Sequence, residues 1–182
     1  MEEENWQYIK ISQIDDKTIK KLVNNLQKEV SEEFFLSFES LIKINKRAES
    51  EIENVIKHLD EQHQFKKNMF KVLLNYIKTD KIEIPLVFQL YNPDFLVRAR
   101  AVMEIGKIDS LKYLNFLLPL LQDPDDSVRW SIINLLINKH IDDSKVYNKL
   151  KKHIELESNP IIRKKNTENT ISTKLSPKKG IK

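Results

Sequence analysis

Four histidines, His58, His63, His140 and His153, are the side chains of this sequence best suited to proton transfer or metal ligation near neutral pH. Their spacing argues against both. His58 and His63 stand five apart, which does not put both on one helical face, and the other pair is distant in sequence. The acidic run Asp123-Pro124-Asp125-Asp126 has the look of a calcium loop but lacks the central glycine and the distal glutamate such a loop needs. There is no cysteine, so thiolate ligands and disulfides are excluded. Glycine occurs only at Gly106 and Gly180, which removes phosphate-cradling loops, dinucleotide fingerprints and most tight hairpins. No nucleophile elbow or paired catalytic carboxylates appear. The expectation is a chain with no catalytic residues, no metal site and no cofactor, and so not an enzyme.

The bulk properties bound the rest. Apolar residues make up 40% of the 182, enough for one substantial core or one extended stack of small units. No apolar run reaches membrane-spanning length, and Met1-Glu-Glu-Glu-Asn5 lacks the basic start of a signal peptide, so a cytoplasmic protein without membrane contact is expected. The net charge of +4 is uneven: residues 1–61 carry 9 basic and 14 acidic side chains, and residues 62–182 carry 22 and 13. Such asymmetry suits an acidic partner or a nucleic acid, although an abundance of solvated lysine accounts for it better.

What positions these residues is a repeat. "LQDPDDSVRWSIINLL" (121–136) echoes "LYNPDFLVRARAVMEI" (90–105) at an interval of 31. Taking Val128 as anchor, the counterparts are Phe34, Phe65, Val97 and Ile162, at intervals of 31, 32, 31 and 34. Four residues on come Phe38, Met69, Ala101 and Ile132; eight on come Ile42, Leu73, Ile105 and Leu136. Positions i, i+4 and i+8 line one helical face, so each unit holds a helix with a buried stripe. A first helix precedes each anchor, over 17–29, 48–60, 81–91, 110–122 and 143–155. Asp109 and Ser110 are plausible caps for the fourth of these. Pro119 should bend that helix, and Pro85 suits the start of the one before it. "NPD" (92–94), "DPDD" (123–126) and "SNP" (158–160) end the first helices, and Asp94 and Asp125 stand where a carboxylate caps the second. A lone hairpin of this kind cannot cover its apolar face, so neighbours must stack.

Asp123-Pro124-Asp125, Val128-Arg129, Val97-Arg98 and Gly106-Lys107-Ile108-Asp109 together resemble HEAT repeats, in particular the short variety first described in phycobilin lyases. The match is clearest over residues 83–141; residues 17–79 keep the period but have Phe35 and Lys66 where the family has arginine. The resemblance implies an all-α fold, an α-solenoid of about five helical hairpins. It also implies that Arg98, Arg129 and Arg163 pair with turn aspartates in a structural ladder rather than bind ligand.

The domain reading is an N-terminal capping segment over 1–15, a repeat domain over 16–166 and a basic, disordered tail over 167–182. Asn166 and Thr170, four and eight after Ile162, end the amphipathic pattern and point to a closing half-repeat. Ser176-Pro177-Lys178-Lys179 resembles a DNA-associated tetrapeptide, but a single copy in a solvated tail carries little.

A solenoid offers a concave face lined by second helices. On it the expected contacts are Trp130, Lys67, Lys71, Arg100, Met103, Asn134 and Lys164, with Trp130 either an exposed anchor or a filler between repeats. The leading functional expectation is a non-catalytic scaffold for a protein or peptide partner. The alternative is nucleic-acid binding in a basic concave groove, as in HEAT-like DNA glycosylases, although no acidic residue near Trp130 matches their catalytic carboxylate. A third is bilin attachment or chaperoning, which rests on the repeat pattern alone.

Overall fold

The structure, a computed structural model, describes residues 14–60, 63–81, 85–108, 110–140 and 142–175. Among these every regular element is helical. The expected capping segment, apart from Ile14 and Asp15, lies outside the described residues, as do residues 176–182. The chain forms two compact units, one built from residues up to Pro85 plus Tyr91–Pro93, the other from Leu86–Leu90 plus Asp94 onward.

In the first unit, α1 (Asp16–Asn25) pairs with α2 (Glu32–Ile44), and α3 (Glu49–His58), entered through a 3-10 turn at Asn45–Ala48, pairs with α4 (Gln64–Thr79). First helices lie against first helices and second against second, the arrangement of a solenoid. Side-chain oxygens open the helices: Asp15 accepts from Thr18 N at 2.7 Å and Ser31 from Phe34 N at 3.2 Å. The core is aromatic. Tyr91 lies fully buried among Phe34, Phe35, Phe38 and Phe65, with ring centroids 5.7 to 6.1 Å away. Phe35 therefore fills with a ring the place that holds arginine in the later repeats.

The second unit runs α5 (Pro85–Leu90), α6 (Phe95–Lys107), α7 (Leu114–Leu117), α8 (Asp126–His140), α9 (Ser144–Leu156) and α10 (Pro160–Leu175); α8 packs on the 3-10 segment Leu118–Gln122 that follows α7, and α10 packs on α9. The second helices α6, α8 and α10 pack side by side in that order. Val87, Leu90, Ala101, Ile105, Leu117, Val128, Ile132, Leu136, Val146, Leu150 and Ile162 are buried between the layers. Of the five anchors, Phe34, Val128 and Ile162 are buried, whereas Phe65 and Val97 are half-buried. Phe65 spends its buried side stacking on Phe34 and Tyr91.

Three local expectations need correction. Pro119 does not merely bend a helix: residues 111–122 run as 3-10 turn, one α turn, then 3-10 again from Leu118, because the ring removes a donor and crowds the turn before it. Asp109 lies outside the described residues, and Ser110 stands at the N-cap position but makes no side-chain cap bond; its hydroxyl lies 2.7 Å from His140 Nε2 in the core. The last helix also runs on through Leu175, past Thr167 where order was expected to end. Asn166 and Thr170 are buried at the core positions of α10, where the Asn166 amide nitrogen and the Thr170 hydroxyl find acceptors while Asn166 Oδ1 has no partner among the described residues. Asn166 Nδ2 donates to Leu150 O at 3.0 Å, and the Thr170 hydroxyl to Asn166 O at 2.7 Å.

Candidate binding face and the arginine ladder

Two arginines at the same repeat position tie the hairpins of the second unit together. From α6, Arg98 donates through Nε and Nη2 to the two carboxylate oxygens of Asp123, each at 2.8 Å, with both side chains almost wholly buried. From α8, Arg129 does the same to Glu157, at 2.9 Å for each bond, and also donates to Asp123 O at 2.8 Å and Pro124 O at 3.2 Å. Arg163, one repeat on, donates to Glu157 O. Arg129 and Arg163 thus close the turn behind them, and Arg98 and Arg129 grip the acid that opens the next turn.

The turn acids divide between capping and pairing, and only Glu157, which is not an aspartate, departs from the expected partners. Asp94 accepts from Leu96 N at 2.8 Å, and Asp125 from Ser127 N at 3.0 Å and Val128 N at 3.3 Å, so both cap second helices. The ladder carboxylates are Asp123 and Glu157. The sequence held a signal for Glu157: it stands six before Arg163, as Asp123 stands six before Arg129.

Burial pushes the Asp123 carboxyl above its ordinary value, against the pull of Arg98 and of the Asp125 N–H. Burial pushes Glu157 up as well, but there the Arg129 guanidinium, the Asn159 N–H and His153 outweigh it, and the carboxyl sits below its ordinary value. His153 Nε2 lies 3.2 Å from Glu157 Oε2, and its Nδ1 lies 3.5 Å from Asn166 Nδ2. These partners fit a neutral ring that donates from Nε2 and accepts at Nδ1. Burial lowers the His153 pKa, and Glu157 offsets this only in part. Arg98, Arg129 and Arg163 are therefore engaged within the fold.

The other face of the second helices is open to solvent. Counting from each anchor, three rows cross α6, α8 and α10: Leu96, Ser127 and Ile161; Arg100, Ser131 and Lys165; Met103, Asn134 and Glu168. Leu96, Met103 and Ile161 are 59%, 62% and 69% exposed. Arg100 is exposed and has no ion-pair partner among the described residues. Lys164, beside this face, reaches Glu168 at 3.9 Å and is largely solvated.

Trp130 is half-buried. A Cβ on Gly106 would stand 3.4 Å from Leu135 Cδ1, so the Gly106 side of α6 faces α8. Trp130 occupies the corresponding side of α8, which turns it toward α10 and makes it part filler, part rim. Arg100, Met103, Trp130, Asn134 and Lys164 thus share one unit and adjoining helices. Lys67, half-buried, and Lys71, exposed, belong to α4 in the first unit. The sequence reading missed Leu96 and Ile161, which neighbour anchors and so read as core.

The histidines are placed locally: His58 Nδ1 lies 2.7 Å from Asn54 O, and His63 Nδ1 lies 2.7 Å from Asp60 Oδ1. No group of three potential metal ligands occurs among the described residues, and no helix there is long and apolar enough to cross a membrane. The family model for HEAT repeats matches residues 84–169, which span α5 to the greater part of α10. No curated protein and no solved structure matches the chain.

Proposed function

From the match of residues 84–169 to the family model for HEAT repeats, we propose that the chain is a non-catalytic scaffold that holds a protein partner on the open face of α6, α8 and α10. HEAT repeats commonly serve as scaffolds for protein interactions and are typically non-catalytic. The observation that carries the reading is the exposure of Leu96, Met103 and Ile161 on a face where the repeat pattern would allow polar residues, as α8 has with Ser127, Ser131 and Asn134. Single exposed apolar residues are ordinary, but these three border one channel in a repeat array. Trp130 and Asn134 supply a rim and an amide; Arg100 and Lys164 make the surface selective for charge.

The test is co-purification from the native cells with tagged wild-type chain and with a Leu96→Asp/Met103→Asp variant, proteins being identified by mass spectrometry. The reading requires a protein recovered reproducibly by the wild type and lost with the variant, while circular dichroism shows unchanged helicity. Equal recovery by both would remove this face from the proposal. Lys67→Glu/Lys71→Glu in α4 tests separately whether the first unit contributes.

A further inference from the structure

The serine hydroxyls on the floor of the open face have already spent their protons within the fold. The Ser131 hydroxyl donates to Ser127 O at 2.9 Å, and the Ser127 hydroxyl donates to Asp125 Oδ1. Of Ser127, Ser131 and Asn134 in the α8 column, only the Asn134 amide is left to donate to an incoming backbone carbonyl. An extended peptide brings an unpaired C=O at every residue, and this floor has few donors to answer them. A helix brings its backbone already paired.

The dimensions agree. Neighbouring packed helices lie about 8–10 Å apart, so α6 and α10, separated by α8, have axes roughly 16–20 Å apart. The short side chains of Ser127, Ser131 and Asn134 lie between the longer ones of α6 and α10 and leave a shallow channel. Its width suits a helix about 10–12 Å across.

The charge adds a direction. On α6, Arg100 lies four residues after Leu96 and three before Met103, so the three form one exposed stripe of apolar, basic and apolar side chains. The nearby cation Lys107 is occupied by Glu104 at 2.8 Å, whereas no carboxylate among the described residues pairs with Arg100.

We infer that the channel between α6 and α10 takes an amphipathic α-helix of a partner protein, its apolar stripe over the serine floor and against Leu96, Met103 and Ile161, with a glutamate or aspartate of that helix paired to Arg100. The inference rests on the scaffold reading and names the class of partner segment.

The test is a methyl-NMR titration of the full chain with three synthetic peptides: a stapled helix with a leucine stripe flanked by glutamates, the same helix with lysines for glutamates, and the unstapled glutamate peptide interrupted by proline. An oligothymidylate is titrated in parallel. The expected result is saturable shifts at the Leu96, Met103 and Ile161 methyls with the first peptide, at least about tenfold tighter than with the lysine helix. The proline peptide should bind at least about tenfold more weakly as well. Arg100→Glu should invert the preference between the glutamate and lysine helices. The inference is overturned by an absence of saturable shifts at these methyls, by equal affinity for the two helices, by a proline peptide that binds as well, or by shifts that only the oligothymidylate produces. If it falls while Leu96→Asp/Met103→Asp still loses the co-purified protein, the scaffold stands and only the helical, acidic class of partner fails.

Discussion

Arg98 and Asp123 meet through two parallel N–H···O bonds of 2.8 Å, one repeat apart and out of reach of water. Removing one partner leaves the other as an uncompensated buried charge, which costs about 3–5 kcal/mol. Arg98→Met alone and Asp123→Leu alone should each destabilise the second unit by that order, whereas the double variant should recover most of the loss. Urea unfolding followed by circular dichroism gives the cycle. Additive losses in the double variant would contradict a coupled pair.

His153 sets a pH dependence whose sign follows from its surroundings. Burial holds its folded-state pKa below the ordinary value of about 6.5, so the unfolded chain takes up the proton first as pH falls. The contribution is fully present above about pH 6.5 and is lost on acidification from there toward the lower folded-state value. Glu157, whose carboxyl sits below its ordinary value, adds a further loss once pH falls through the carboxylate range. Melting temperatures from pH 7.5 to 5 should drop for the wild type and flatten for His153→Gln over the same interval.

Asn45 adopts φ 55° and ψ −130°, a region natural to glycine, and its Oδ1 is buried without a partner. Its N–H still donates to Leu41 O and would survive substitution. Asn45→Gly should therefore stabilise the first unit, by about 1 kcal/mol. Asp80, at φ 55° and ψ 23°, lies in the left-handed region that aspartate tolerates, so Asp80→Gly should gain less. Thermal unfolding of the two variants side by side makes the comparison.

Gly106 lies within α6 at a negative φ. An added methyl would meet Leu135 Cδ1 at 3.4 Å, an ordinary contact. Gly106→Ala is expected to raise stability by about 0.5–1 kcal/mol through helix propensity, whereas Gly106→Leu should lower it by forcing α6 from α8. Denaturant midpoints of both variants check the sign.

The hairpins were legible because the period repeats the physics: the anchor stripes and the Asp94 and Asp125 caps follow from local rules that each unit obeys separately. What escaped was decided between units. Glu157 sits in "ELESNP", which lacks the Asp-Pro-Asp signature, so its kinship with Asp123 shows only once Arg129 is seen to grip it. Asn166 reads as the end of a core because its type is polar; it stays buried because Leu150 O and His153 are there to meet it. Leu96 and Ile161 adjoin the anchors Val97 and Ile162, and residue type alone could not reveal that they turn outward. Pro119 was visible, but how far its effect spread along residues 111–122 depended on the packing of Leu117, Leu120 and Leu121.

The grip of Arg129 on Glu157 changes how the stack comes apart. A stack joined by apolar contacts alone can fray from its free end, one hairpin peeling off while the rest holds. Here, lifting away α9, α10 and the turn between them would strand the Arg129 guanidinium beside Asp123 O and Pro124 O with its countercharge Glu157 gone. The terminal hairpin is latched rather than laid on, so a chain cut short after His140 would lose not one layer but the cooperativity of the layers beneath it.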